Sequence, residues 1–185
     1  MILKYISLFG LSVSMIGAVS AAKAESWTVD AANSTLAFEV QQGSAPLKGT
    51  FTTWDASIDF DLAAPENAVI QATINPASAS TGNPQFDTTL PAADWFDAAG
   101  FPVAEFKAES ASLVEGNSYR AEGTLTIKGA SHPVTLDFTL DIDGDTATAT
   151  GTAKLNRLDY QLGSGVGTDT VGDIVTVTLD LTATR

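Results

Sequence analysis

The feature that most restricts the fold is strict alternation of apolar and polar side chains. Val134-Thr135-Leu136-Asp137-Phe138-Thr139-Leu140-Asp141-Ile142 alternates without a break. Val175, Val177, Leu179, Leu181 and Ala183 do the same against Thr176, Thr178, Asp180 and Thr182. Leu36, Phe38 and Val40 share one face of a third run; Ile58, Phe60 and Leu62 share one face of a fourth, with Asp59 and Asp61 opposite. A strand sends successive side chains to opposite faces, so period two means one buried face and one wet face. A helix would scatter the same apolar residues around its circumference. Half-buried strands of this kind belong to antiparallel sheets. The 23 threonines of the 185-residue chain point the same way, since β-branched side chains favour strands.

Strands are expected near residues 27–30, 34–41, 47–54, 56–62, 68–75, 103–113, 118–128, 132–142, 145–155 and 173–184. Asp143-Gly144-Asp145 separates two of them, and Asp-Gly is a strong hairpin cue. Glu115-Gly116-Asn117 and Lys128-Gly129-Ala130 punctuate in the same way. Residues 78–102 break the pattern with Gly82, Pro84, Pro91 and Pro102. Short helices are expected there over residues 85–90 and 92–99, and Trp95, Phe96 and Phe101 make the insert aromatic. Such an insert plugs one end of the core, floors a ligand cavity, or does both. No linker or repeat divides residues 25–185, which read as one domain. Closure removes exposed sheet edges, so the expected fold is all-β, an antiparallel barrel of about eight strands. A barrel of that size either fills with side chains or holds one small ligand.

Residues 1–24 read as a signal peptide: Lys4, an apolar stretch over residues 5–19, then the cleavage pattern Ala22-Lys23-Ala24. Cleavage after Ala24 would release an acidic exported domain and leave no stable membrane insertion. The net charge of the whole chain is −13; without Lys4 and Lys23, 7 basic and 22 acidic side chains leave −15. That charge repels nucleic-acid phosphates and anionic bilayers alike. With no cysteine, disulfides, thiolate nucleophiles and sulfur-ligated metal centres are excluded. The single histidine excludes sites built from His pairs.

Most candidate chemistry fails on spacing. Counted from Asp141 as a calcium loop, the sixth and twelfth positions are Thr146 and Thr152 instead of Gly and Glu, so this segment reads as an acidic hairpin tip. Gly163-Ser164-Gly165-Val166-Gly167 lacks the lysine of a phosphate loop and reads as a mobile loop at a barrel mouth. His132 beside Ser131 has neither an orienting acid nor a nucleophile elbow. Asp87, Asp94 and Asp97 are the carboxylates a hydrolase would use, but no spacing fixes a pair. No catalytic residue, metal ligand or cofactor is assigned. What remains is apolar interior: Phe38, Phe51, Trp54, Ile58, Ile74, Trp95, Phe96, Phe106, Leu125, Ile127, Phe138 and Leu140. Alternation describes a filled core and a hollow one equally well. The small residues Ala37, Ala72, Ala121, Ala149 and Ala153 tip the reading toward a cavity.

Taken in order, these segments resemble the YceI-like family of exported bacterial proteins. The resemblance begins with Trp27-Thr28-Val29-Asp30, Gly49-Thr50-Phe51 with Trp54, and Ile58-Asp59-Phe60-Asp61. It continues through Thr81-Gly82-Asn83, Asp87, Leu90, Asp94-Trp95-Phe96-Asp97 and Phe101-Pro102 with Phe106. It ends with Gly123-Thr124-Leu125-Thr126-Ile127-Lys128-Gly129, Pro133-Val134, Arg157 and Asp159-Tyr160. The resemblance implies a lipocalin-like barrel with a hydrophobic tunnel that binds a long isoprenoid or a related amphiphile. It also implies a periplasmic binding protein, not an enzyme, with a membrane cytochrome as a candidate partner and a homodimer as a candidate assembly. The strongly acidic exterior departs from the family and argues against an anionic headgroup. Phe86, Leu90 and Tyr160 join the interior set above as expected ligand contacts, with Tyr160 and residues 163–167 bordering the headgroup.

Overall fold

The alternating runs form eleven antiparallel strands in one sheet that closes on itself. This computed structural model describes residues 25–185, so the expected signal peptide lies outside the described residues. The strands are β1 (Glu25–Val29), β2 (Thr35–Gln42), β3 (Ala45–Phe51), β4 (Trp54–Phe60), β5 (Val69–Ile74) and β6 (Ala79–Ser80), then β7 (Ala104–Glu115), β8 (Ser118–Ile127), β9 (Ala130–Asp143), β10 (Thr146–Asn156) and β11 (Val171–Thr184). Eight of them complete a ring in the order β1-β4-β5-β7-β8-β9-β10-β11, closed by β11 pairing with β1. The fold is therefore the closed, lipocalin-like barrel.

One edge of β11 serves two strands. It takes β1 at Ala183 and Thr184, and β2 over residues 171–180. β1 and β2 thus form one broken stave. At the break the Asp30 carboxylate accepts hydrogen bonds from Ala32 N and Asn33 N, capping a short 3-10 turn. The Ser34 hydroxyl accepts from Thr182 N at 3.0 Å and holds the stave to β11.

Cross-strand register fixes the faces. Phe38 pairs with Val177 and Leu36 with Leu179, all inward. Ala37 pairs with Thr178 and Thr50 on the outer face, so it adds nothing to the interior, contrary to expectation. Leu62 also departs from expectation and is 51% exposed. β4 ends at Phe60, and the Asp61 carboxylate accepts from Ala63 N, which turns the chain out of the ladder where strand parity no longer applies. In the insert, α1 (Pro84–Thr89) begins with Asn83 capping Gln85 N and with proline at its first turn. The second expected helix, over residues 92–99, is a chain of turns instead. Asp97 adopts φ 47°, a left-handed conformation that cannot continue a helix.

The barrel has two unlike ends. The β4–β5, β7–β8 and β9–β10 connections gather at one, the hairpin end. Trp27, Phe60 and Tyr119 pack there, with Phe138 against them. The other, the insert end, carries residues 81–103, the β2–β3 and β8–β9 turns, and residues 157–170. A second core cluster, Ile74, Ala104, Ile127, Tyr160 and Leu162, lies at this end.

Candidate functional site

A cavity of about 200 Å³ occupies the insert half of the barrel. Its wall takes Phe38, Phe51, Trp54, Ile58 and Ile74 from β2 to β5, and Phe106, Leu125 and Ile127 from β7 and β8; the insert contributes Leu90, Trp95 and Phe96. Phe138 and Leu140 line a second cavity, of about 60 Å³, toward the hairpin end. Phe86 and Tyr160 line neither. Phe86 is half-buried on α1, and Tyr160 is fully buried within the second core cluster.

Two glycines lay aromatic rings along the wall. A Cβ on Gly49 would stand 2.3 Å from Phe38 Cζ, and one on Gly123 would stand 2.5 Å from the Phe106 ring. Each ring lies across a glycine of the neighbouring strand, where any side chain would push it toward the lumen. Phe38 meets Phe51 at 5.3 Å, and Phe51 meets Phe96 edge-on at 5.9 Å, which joins the wall to the insert.

Arg157 is the charged residue in this wall, and only 1% of it is exposed. It donates to five backbone carbonyls: Nε to Gly172, Nη1 to Leu162 and Gly163, and Nη2 to Val166 and Val171, at 2.7–3.0 Å. All five guanidinium donors are thereby used. The loop expected to be mobile is thus gathered around a buried cation. Trp95 lies 5.9 Å from that guanidinium, and Gly163 N donates to Asp94 O at 2.7 Å, so the loop also clamps the insert. Lys128 donates to Ala93 O at 2.7 Å from the opposite side.

Sequence reasoning put Leu36, Val40 and Val175 on buried strand faces without naming them as ligand contacts, and it gave Arg157 and Leu155 no role at the site. Their signal is parity. Ala153 and Leu155 face inward, and the same step of two carries Arg157 inward. An arginine carried inward just past the end of β10 is a structural cation in need of acceptors.

Asp87 and His132 are occupied elsewhere. Asp87 accepts from Thr81 N, the Thr81 hydroxyl and the Ser80 hydroxyl at 2.6–3.0 Å. Those bonds, the Thr81 backbone first, hold its carboxyl below the usual range and fasten α1 to β6. His132 Nε2 donates to Asp159 O at 3.0 Å, and its ring meets Tyr160 edge-on. Burial, and then the Asp159 charge, push the Tyr160 phenol up to about 12.

The sequence pattern that defines the YceI-like domain matches residues 27–183. The chain belongs to the YceI-like family. It is 28% identical over 124 residues to a UPF0312 protein of Pseudomonas syringae pv. tomato, covering 64% of this chain and 65% of that protein. It thus spans just under two thirds of that relative's length. Among solved structures it is similar to BcnA of Burkholderia cenocepacia, with TM-score 0.80 and 32% identity, over 84% of this chain and 99% of that one. It also shares its fold with a polyisoprenoid binding domain from Saccharophagus degradans, with TM-score 0.67 and 18% identity, over 86% and 98% of the two chains.

Proposed function

We propose that this protein binds the hydrocarbon chain of an isoprenoid-type lipid inside the barrel and carries or stores it in the periplasm. The observation that carries the reading is the wall of the larger cavity. Aliphatic and aromatic side chains line it, and its one cation has every donor engaged. Desolvation then supplies the affinity, at roughly 0.8 kcal/mol for each methylene buried. The YceI-like fold, shared with a domain described as polyisoprenoid binding, supports this choice of ligand. Binding without turnover fits a wall that offers no carboxylate, hydroxyl or imidazole among the described residues. Export fits the signal-like residues 1–24, and the net charge of −13 fits a soluble carrier that docks on a basic membrane partner.

The test is to purify the protein from the periplasm, extract it with organic solvent and identify the extract by mass spectrometry. A prenyl lipid near one per chain is expected, and intact mass should place the mature N-terminus at Glu25. An empty barrel that takes up no prenol would overturn the reading.

A further inference from the structure

The two cavities share part of their walls. Ile58, Ile70, Leu136, Leu179 and Leu181 border both. Ile58 and Ile70 stand directly opposite each other across β4 and β5. Leu136 leans over Gly151, where a Cβ would lie 3.1 Å from Leu136 Cδ1. These side chains form a waist between a chamber at the insert end and a smaller one at the hairpin end. Beyond the waist the wall is built for space: Ala147 pairs with Ala183, and Ala149 follows two residues on. An unfilled apolar void weakens a core, so side chains this small beside one need a reason.

We propose that the second chamber receives the far end of the longest chains and so sets the chain length that the barrel prefers. This rests on the prenyl-binding reading above. Positions on β11 measure the distances. From Val171 to the waist at Leu179 is about 26 Å along the strand, or roughly 20 Å along a barrel axis at the usual tilt. From Leu179 to Ala183 adds about 13 Å along the strand and roughly 10 Å along the axis. A short prenyl chain fits the first chamber alone. A longer one gains contact only by passing the waist.

The experiment compares farnesol, geranylgeraniol and solanesol as competitors against a fluorescent prenyl probe on the delipidated protein. Ala149→Leu fills the second chamber. It should weaken solanesol about tenfold or more while leaving farnesol within about twofold. Ala153→Leu, in the first chamber, should weaken all three. Leu140→Ala enlarges the second chamber and should tighten solanesol alone, which keeps the test open if Ala149→Leu does not fold. If either second-chamber variant folds and shifts all three prenols equally, or none, the division is wrong while prenyl binding stands. A wild-type protein that binds none of them removes both readings together.

Discussion

The two ends of the barrel close by different physics. At the hairpin end the plug is aromatic. Phe60 meets Tyr119 edge-on at 5.3 Å, Tyr119 stacks on Phe138 at 5.6 Å, and Trp27 Nε1 donates to Phe60 O at 3.2 Å. The Arg185 guanidinium lies 4.9 Å over the outer ring of the plug, Trp27. At the insert end the closure is a backbone network around one cation, with Trp95 laid against it. Burial of rings is non-directional and tolerates small shifts, whereas five converging carbonyls demand one geometry. The hairpin end is thus a permanent floor. The insert end is a rim gathered around one buried side chain, with Lys128 tied to the insert as well, so a change at Arg157 should loosen it first.

The largest expected effect breaks this contrast at its centre. Arg157→Met keeps similar volume but leaves five buried carbonyls without their donor. Hydrogen bonds to a charged group are worth about 1.5–3 kcal/mol each, and the orphaned carbonyls add desolvation cost. A loss of about 4 kcal/mol or more is expected in urea unfolding. Hydrogen exchange should rise first over residues 161–171 and the insert, with β8 and β9 near Tyr119 and Phe138 protected until global unfolding. Equal loosening of both ends would show that they are not separate closures.

Phe60→Ala tests the other side. The ring is 3% exposed and packs on two others. Its removal should cost about 3–4 kcal/mol through lost transfer energy and the void left behind. The cavity rim should keep its exchange protection and the fluorescence of Trp95. Spectral change at the rim would mean that the plug also supports the cavity.

The same contrast explains what was readable in the sequence. Alternation reports a side chain's face, so the barrel, its staves and most of the cavity wall followed from parity in β2, β9 and β11. Parity fails where strands end. Leu62 lies two residues beyond the last pair of β4, and residues 92–99 turn at the left-handed Asp97. Alternation carries Arg157 inward but says nothing of the acceptors that hold it there. Those acceptors come from residues 162–172, a stretch without periodicity that is ordered by the cation it surrounds. Tyr160 shows a related limit. It resembled a headgroup contact, but the 3-10 turn from Arg157 to Tyr160 winds it into the core.

Gly163→Ala sharpens the comparison at lower cost. Gly163 adopts φ 58°, and a Cβ there would lie 2.7 Å from the Trp95 ring. The strained backbone costs about 1–3 kcal/mol, and the ring must also move. A loss of about 2 kcal/mol is expected, with a red shift of Trp95 emission as the insert lifts. Gly116→Ala at the hairpin end shares the positive φ, at 56°, but has no neighbour within 4 Å. It should lose stability alone, with no spectral change.

The smallest expected effect concerns Tyr160, which stands beside the Arg157 network without joining it. Among the described residues no group lies within hydrogen-bonding distance of its hydroxyl. Removing an unpaired buried hydroxyl is neutral or mildly favourable, so Tyr160→Phe should change stability by less than about 1 kcal/mol. The pH dependence carries the distinguishing sign. Folding raises this phenol to about 12 from an ordinary 10.0, so the folded state holds its proton more tightly than the unfolded chain. The stability gained from that shift is fully present below the unfolded value and is lost as pH rises through the folded one. Urea midpoints measured across the window from about 10 to about 12 should fall more steeply for the wild type than for Tyr160→Phe. Equal slopes would mean that water already reaches the phenol, and that the rim at this point is looser than the network around Arg157.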